Sequence, residues 1–378
     1  MIKYKFIGCG AAGNKAVIKA YNDGVLLEDE FLLINSTYKD IPEEFSKYSR
    51  IYKNADGAGK ERALGKKLAI EALRSKDIDL NDYISDDVKV VVLVSSLDGG
   101  TGTSSVSIFA KYIKEVLGKH VYIIGFNGFE NDARSLSNTI EYMKELDESY
   151  TISIISNKKC LESNKSLNYR KAEAIANDEF VKYVKSIKTI GVTSSSINID
   201  GAELFKTVST PGYMIIERGS ISDIKNNSDF NEILKDLHDN SKSIDTEPTC
   251  KRMCVFILAN SKIQNNVDYS FNEAKVNWGT PFELYQHVQE SENNEDEVVI
   301  ISSGMSLPIK YFETLFNKYK EESAKVNKGS DTFFDMISNF SGNEHDSEFN
   351  SLTNFSNSTK TSDDFFRSID NNVSESDF

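Results

Sequence analysis

No stretch of the 378-residue chain approaches the ~18 consecutive apolar residues of a membrane span, which excludes a helical membrane protein. Positive charge is short as well. Lys and Arg number 44 against 58 Asp and Glu, a net charge of -14, so no basic face is expected for DNA or RNA phosphates, and any role on nucleic acid would need an adaptor. Cysteine is sparse and scattered (Cys9, Cys160, Cys250, Cys254). The one close pair, Cys250 and Cys254, lacks a second pair or a histidine cluster to complete a zinc site, so reduced, packed thiols are expected. Also missing is room for a leader, because "MIKYKFIGCG" enters a strand pattern at once; the expectation is a cytoplasmic protein.

What is present is a repeating alternation of apolar strands and amphipathic helices. "IKYKFIG", "FLLIN", "VKVVVLVSS", "HVYIIGF" and "YTISIIS" are strand-like runs, apolar on both faces, with helical segments between most of them. This predicts an α/β domain over 1–168 with a doubly wound, mostly parallel sheet. Residues 169–192 read as a long connecting helix, with Phe180, Val184, Ile187 and Ile190 at helical spacing. A second, smaller α+β domain is expected over 193–310, in which "GYMIIERGS", "RMCVFILAN" and "EVVIISSGMS" are strands and "SDFNEILKDLHDNSK" and "PFELYQHVQE" are helices. A charged C-terminal helix follows at 311–328. From 329 to 378 the composition turns to Ser, Asn and Asp. Residues 331–378 carry ten acids and two bases with eight phenylalanines, predicting a disordered acidic tail with aromatic anchors for a partner.

Three glycine-rich turns stand out. "GCGAAGNK" carries Gly8, Gly10 and Gly13 as G-x-G-x-x-G between a strand and a helix, with Ala11, Ala12 and Asn14 inside or beside it. A dinucleotide enzyme would place an acid at the end of the second strand, where this chain has Asn35 and Ser36; a Walker loop would need lysine where Asn14 stands. The second turn, "ADGAGKE", contributes Gly57, Ala58 and Gly59. The third, "LDGGTGTSS", offers successive backbone donors and hydroxyls from Asp98, Gly99, Gly100, Thr101, Gly102 and Thr103 at a helix start, which suits a polyphosphate.

"LDGGTGTSS" and "GCGAAGNKAV" resemble the glycine signature and the first nucleotide loop of the tubulin and FtsZ superfamily. The resemblance continues in order to about residue 310. "FENDAR" matches Glu130 to a ribose contact and Arg134 to the arginine beside the nucleotide, and "SIISNKK" matches Asn157 to a guanine contact. "IANDEF" matches Asn177 and Asp178 to the helix position at the base, and "INIDGAELF" matches Asn198, Asp200 and Glu203 to the acidic loop that activates hydrolysis. The degenerate glycine signature, the length and the Phe-bearing tail are most similar to the plasmid and phage TubZ branch. Two departures are Asp98, which puts a carboxylate near phosphates, and Glu173, where the family often has an aromatic on guanine; stacking then falls to Tyr169 or is absent.

The resemblance implies a GTPase that binds GTP or GDP with Mg²⁺, the metal's ligands on the chain being unassigned. It implies head-to-tail self-assembly, in which Asp200 and Glu203 of one subunit, with Asn198, complete the site of the next. It also implies DNA segregation through a DNA-binding adaptor held by the C-terminal helix or tail, without direct contact to nucleic acid or membrane. The competing readings are a nucleotide-gated regulatory module that assembles little, a cell-division protein of the FtsZ type, and a dehydrogenase, which Asn35 disfavours.

Overall fold

The computed structural model describes residues 2–146, 149–163, 167–189, 201–222, 224–266, 272–291, 296–326 and 360–372. The first half of the chain runs β1 (Tyr4–Cys9), α1 (Gly10–Asn22), β2 (Phe31–Asn35), a 3₁₀ turn (Glu43–Tyr48) and β3 (Ser49–Ile51). It continues through α2 (Arg62–Arg74), α3 (Leu80–Tyr83), β4 (Val90–Ser96), α4 (Thr101–Glu115), β5 (His120–Asn127), α5 (Ala133–Glu145), β6 (Thr151–Ser156) and α6 (Asn157–Glu162). The second half runs α7 (Tyr169–Thr189), α8 (Gly201–Val208), β7 (Gly212–Ser220), α9 (Asn227–Asp239), β8 (Arg252–Ala259), α10 (Ser261–Asn266), α11 (Asn272–Trp278), β9 (Glu283–Glu290), β10 (Glu297–Met305), α12 (Ile309–Val326) and α13 (Ser362–Asn372).

The strands form one ten-stranded sheet in the order β3-β2-β1-β4-β5-β6-β7-β10-β8-β9. The six strands of the first half are parallel, as their uninterrupted Val and Ile content requires of strands covered on both faces. In β4, Val91 and Leu93 pack under α2, α4 and α5, whereas Val90, Val92 and Val94 pack under α1 and α7. The later strands extend the same sheet. β6 meets β7 only at Thr151–Gly212 and Ile152–Tyr213, after which β10 pairs antiparallel with both β7 and β8. No helix among the described residues is long and apolar enough to cross a membrane.

Two sequence expectations are corrected here. "PFELYQHVQE" is not a helix. Its last eight residues are β9, an edge strand parallel to β8 from Arg252–Glu283 to Ala259–Glu290. Leu284 and Val288 stand four apart and imitate a helical face, but their period is two: both pack on one side of the sheet, while His287 stacks on Phe256 on the other, with ring centroids 5.0 Å apart. The open edge of β8 satisfies the backbone of β9 better than a short helix would. The second correction concerns the tail. Residues 362–372 form α13, and its Phe365 is fully buried against α4, so this part of the expected disordered tail is folded by a docking face that composition does not reveal.

Candidate functional site

Because β1, β2, β4, β5 and β6 are parallel, their carboxyl ends open on one side, and the strand order reverses at β1, between β2 and β4. The crevice outside such a reversal is where open α/β sheets hold ligands. A cleft of about 450 Å³ lies there. Its floor is the three glycine turns, and they interlock. Gly10 has φ +71°, and a Cβ on it would stand 3.0 Å from the backbone N of Gly102. A Cβ on Gly102 would stand 2.8 Å from the carbonyl oxygen of Cys9, one on Gly13 only 2.0 Å from that of Val94, and one on Gly100 2.8 Å from the N of Glu61. The turns touch backbone to backbone, which any side chain would prevent. α1 and α4 both start at this floor, so their unpaired N–H groups and positive dipole ends face an anion-sized space.

Of the residues singled out from sequence, Gly10, Ala11, Ala12, Gly57, Ala58, Asp98, Gly99, Gly100, Thr101, Gly102, Asn157 and Asn177 line the cleft. Gly8, Gly13, Asn14, Gly59 and Thr103 do not line it. The Asn14 side chain is buried and donates to Ile34 O at 3.2 Å, tying the first turn to β2, while the Thr103 hydroxyl turns back to Gly99 O at 2.6 Å. Asp98 reaches toward Gly128, where a Cβ would stand 2.3 Å from Oδ2. Its burial holds the carboxyl above the ordinary range.

At the far end of the cleft Asn157 starts α6, and its buried Oδ1 has no hydrogen-bond partner among the described residues. Opposite it, Glu173 and Asn177 stand one turn apart on α7 and both line the cleft. Asp178 does not. It sits one residue further round the helix, exposed, with Lys19 Nζ 3.0 Å from its Oδ1. Glu130 is also outside the lining. It has φ +59° and a buried carboxylate that accepts from Tyr311 at 2.6 Å and from Lys318 at 3.2 Å, both on α12, and from Lys158 at 3.3 Å. Arg134 is exposed and donates to Lys60 O at 3.3 Å, bracing the second turn. Glu203 lies in the first turn of α8 and is not part of the lining. Asn198 and Asp200 lie outside the described residues.

The structure also brings in residues that the sequence reading left aside. Lys15, beside Asn14, lines the cleft and makes no ion pair among the described residues. Lys60 lines it too, with its Nζ 2.8 Å from Ser135 Oγ and 3.1 Å from Asp132. Ser36 shares a 2.6 Å hydrogen bond with Thr101 across the floor. Phe129 lines the far end of the cleft and packs on Tyr169 with centroids 4.4 Å apart; Tyr169 itself is exposed behind it. A lysine one place past its usual position was a legible signal, whereas Phe129 belongs to a loop whose direction only the fold sets. Among the described residues no group of three or more His, Cys, Asp or Glu is placed to hold a metal ion.

No family model matches the chain. It is 31% identical over 228 residues to the cell division protein FtsZ of Aquifex aeolicus, covering 57% of this chain and 59% of the relative. It is 29% identical over 227 residues to FtsZ of Mycoplasmopsis pulmonis, covering 58% and 55%. The matches thus span somewhat under two thirds of these relatives' length. Among solved structures, TubZ of Clostridium botulinum phage c-st aligns with a TM-score of 0.65 and 16% identity, over 85% of this chain and 99% of that one. A GTPγS-form protofilament of TubZ from Bacillus thuringiensis serovar israelensis aligns at 0.68 and 18%, over 86% and 93%. A GTPγS-bound protofilament of CetZ2 from Haloferax volcanii aligns at 0.68 and 15%, over 85% and 100%. The chain is thus similar over part of its length to FtsZ proteins, and its fold is that of the FtsZ, TubZ and CetZ structures.

Proposed function

We propose that the cleft binds a guanine nucleotide and that the chain hydrolyses GTP within a head-to-tail filament of its own copies. The observation that carries the nucleotide reading is the interlocked glycine floor at two helix starts, with a buried, unpartnered acceptor, Asn157 Oδ1, at the other end. The floor suits a polyphosphate, with Lys15 and Lys60 as countercharge. Asn157 and Asn177, with Glu173, suit a base that offers ring and exocyclic N–H donors, as guanine does and adenine does not on the same edge. Mg²⁺ would rest mainly on the phosphate oxygens, with Asp98 the nearby carboxylate that would hold it through water, since the described residues offer no cluster of ligands of their own. The metal would neutralise charge on the phosphates, and the chain's part is to hold them and to orient a water.

That water's base would come from the next copy. Glu203, with Asp200 and Asn198 before it, belongs to the second half of the chain, which suits a site completed across a heterologous contact. The protofilament forms of the TubZ and CetZ neighbours support assembly. The likeness to TubZ supports plasmid or phage DNA segregation through an adaptor on the C-terminal helix or tail. Competition of GTP, GDP and ATP for the purified chain tests the base: ATP displacing GTP at comparable concentration overturns guanine recognition. Light scattering with and without GTP tests assembly, and nucleotide binding with no rise in scattering would leave a nucleotide-gated module instead.

A further inference from the structure

α13 is held by a specific groove. The Lys360 N–H donates to Glu115 O at 2.9 Å, and its Nζ lies 3.0 Å from the Glu115 carboxylate. Ser362 Oγ shares a 3.1 Å hydrogen bond with the Tyr112 hydroxyl. Phe365 is fully buried edge-on against Tyr112, with centroids 5.1 Å apart, and Phe366 lies under the Arg74 guanidinium at 5.1 Å. Ile369 is buried one turn later. The walls are therefore α4, through Tyr112 and Glu115, and the end of α2, through Arg74.

The residues that make these contacts occur twice in the chain. "KTSDDFFRSIDN", 360–371, and "KGSDTFFDMISN", 328–339, carry Lys, Ser, Asp, Phe, Phe, Ile and Asn at the same positions. Lys328, Ser330, Phe333, Phe334 and Ile337 thus correspond to Lys360, Ser362, Phe365, Phe366 and Ile369, the side chains that meet the groove. The differences fall mostly where α13 faces solvent: Thr361, Asp364, Arg367 and Asp370 are exposed. One of these makes a contact, Asp370 with Arg74 at 2.8 Å, and the earlier copy has Ser338 in its place. Both buried positions, Phe365 and Ile369, are identical in the two segments, as is the half-buried Phe366, whereas four of the five differences are exposed.

We propose that the groove between α2 and α4 is a peptide-binding site with two ligands in the same chain, α13 and the segment 328–339, which compete for it. With one groove and two ligands per chain, one ligand is always spare, and in an assembly it can seat in the groove of a second copy. The site is independent of the nucleotide cleft and of the function proposed for it.

The test uses two fluorescein-labelled peptides, residues 327–341 and 359–373, titrated with the full chain carrying Phe→Ala at 333, 334, 365 and 366, which frees the groove of both internal ligands. Fluorescence anisotropy should show both peptides binding, the first within about tenfold of the second because it lacks the Asp370 contact. Wild-type chain should bind each at least about tenfold more weakly, since a tethered competitor acts at high effective concentration. Phe333→Ala with Phe334→Ala in the first peptide should cost more than about 100-fold. A second measurement does not need the variant to fold: a large excess of unlabelled 327–341 peptide should speed tryptic cleavage of wild-type chain at Arg367. Binding of the 359–373 peptide alone, binding of neither, or equal binding to variant and wild type overturns the proposal, as does an unchanged cleavage rate.

Discussion

Gly13 and Gly59 look alike in sequence, both glycines of a nucleotide-type turn, yet they carry different constraints. A Cβ on Gly13 would sit 2.0 Å from Val94 O, inside the sheet, whereas one on Gly59, at φ +55°, meets nothing within 4 Å. Gly13→Ala should therefore disrupt folding or cost at least ~3 kcal/mol, while Gly59→Ala should cost about 1 kcal/mol of backbone strain, checked by chemical denaturation. Glu217 supplies a second contrast. Burial beside Glu179 pushes its carboxyl from an ordinary value near 4.5 up to about 8, and its Oε1 has no partner among the described residues. The folded state then holds a proton that the unfolded chain releases near 4.5. Its contribution to stability is full below that point and is lost as pH rises toward and through 8. Glu217→Gln should flatten this decline, retaining about 1–3 kcal/mol relative to wild type at pH 8.5 against pH 6, measured by urea unfolding. The glycine turns of the cleft floor and the asparagine at its far end were legible in sequence because each is demanded locally. Which side of α7 met the cleft was not: Asn177 and Asp178 differ by one residue, about 100° of rotation, and only packing of Ala172, Ala176 and Phe180 fixes the angle.

At the scale of elements, the parallel half of the sheet was legible because strands apolar on both faces and helices alternate at regular spacing. β9 and α13 were not, for one shared reason: each is stabilised by a surface supplied from a distant part of the chain. β9 needs the edge of β8, and α13 needs α2 and α4. Local composition cannot encode a partner that far away in sequence. The consequence for α13 is measurable. Phe365→Ala removes roughly 3 kcal/mol of packing from an eleven-residue helix with few other buried side chains, so α13 should detach while the rest of the molecule stays folded. Trypsin should then cut at Arg367 faster, with nucleotide binding in the cleft unchanged; slow cleavage of a folded variant would show that Phe365 does not anchor the helix.

At the scale of the whole molecule, the cleft and Glu203 belong to different stretches of the sheet, on either side of the two-pair seam between β6 and β7. If Glu203 serves the next copy, Glu203→Gln should lower GTP hydrolysis by ~10²- to 10⁴-fold while leaving GTP binding intact, and a wild-type rate would remove it from the mechanism. α12 spans another division, joining the tail to the first half of the chain. It ends at Val326, just ahead of the first Phe-bearing repeat, and its grip on the first half of the chain includes Tyr311 and Lys318 on the strained Glu130. Glu130 directly follows Phe129, which lines the cleft. Under the function proposed above, a load on the chain beyond α12 would pull along that helix and reach the cleft through Glu130 and Phe129. If the cleft holds a nucleotide as proposed, the site would sit on the path of tension: nucleotide release from a chain stretched between residue 327 and its N-terminus should change with applied force, and Tyr311→Phe should weaken that dependence.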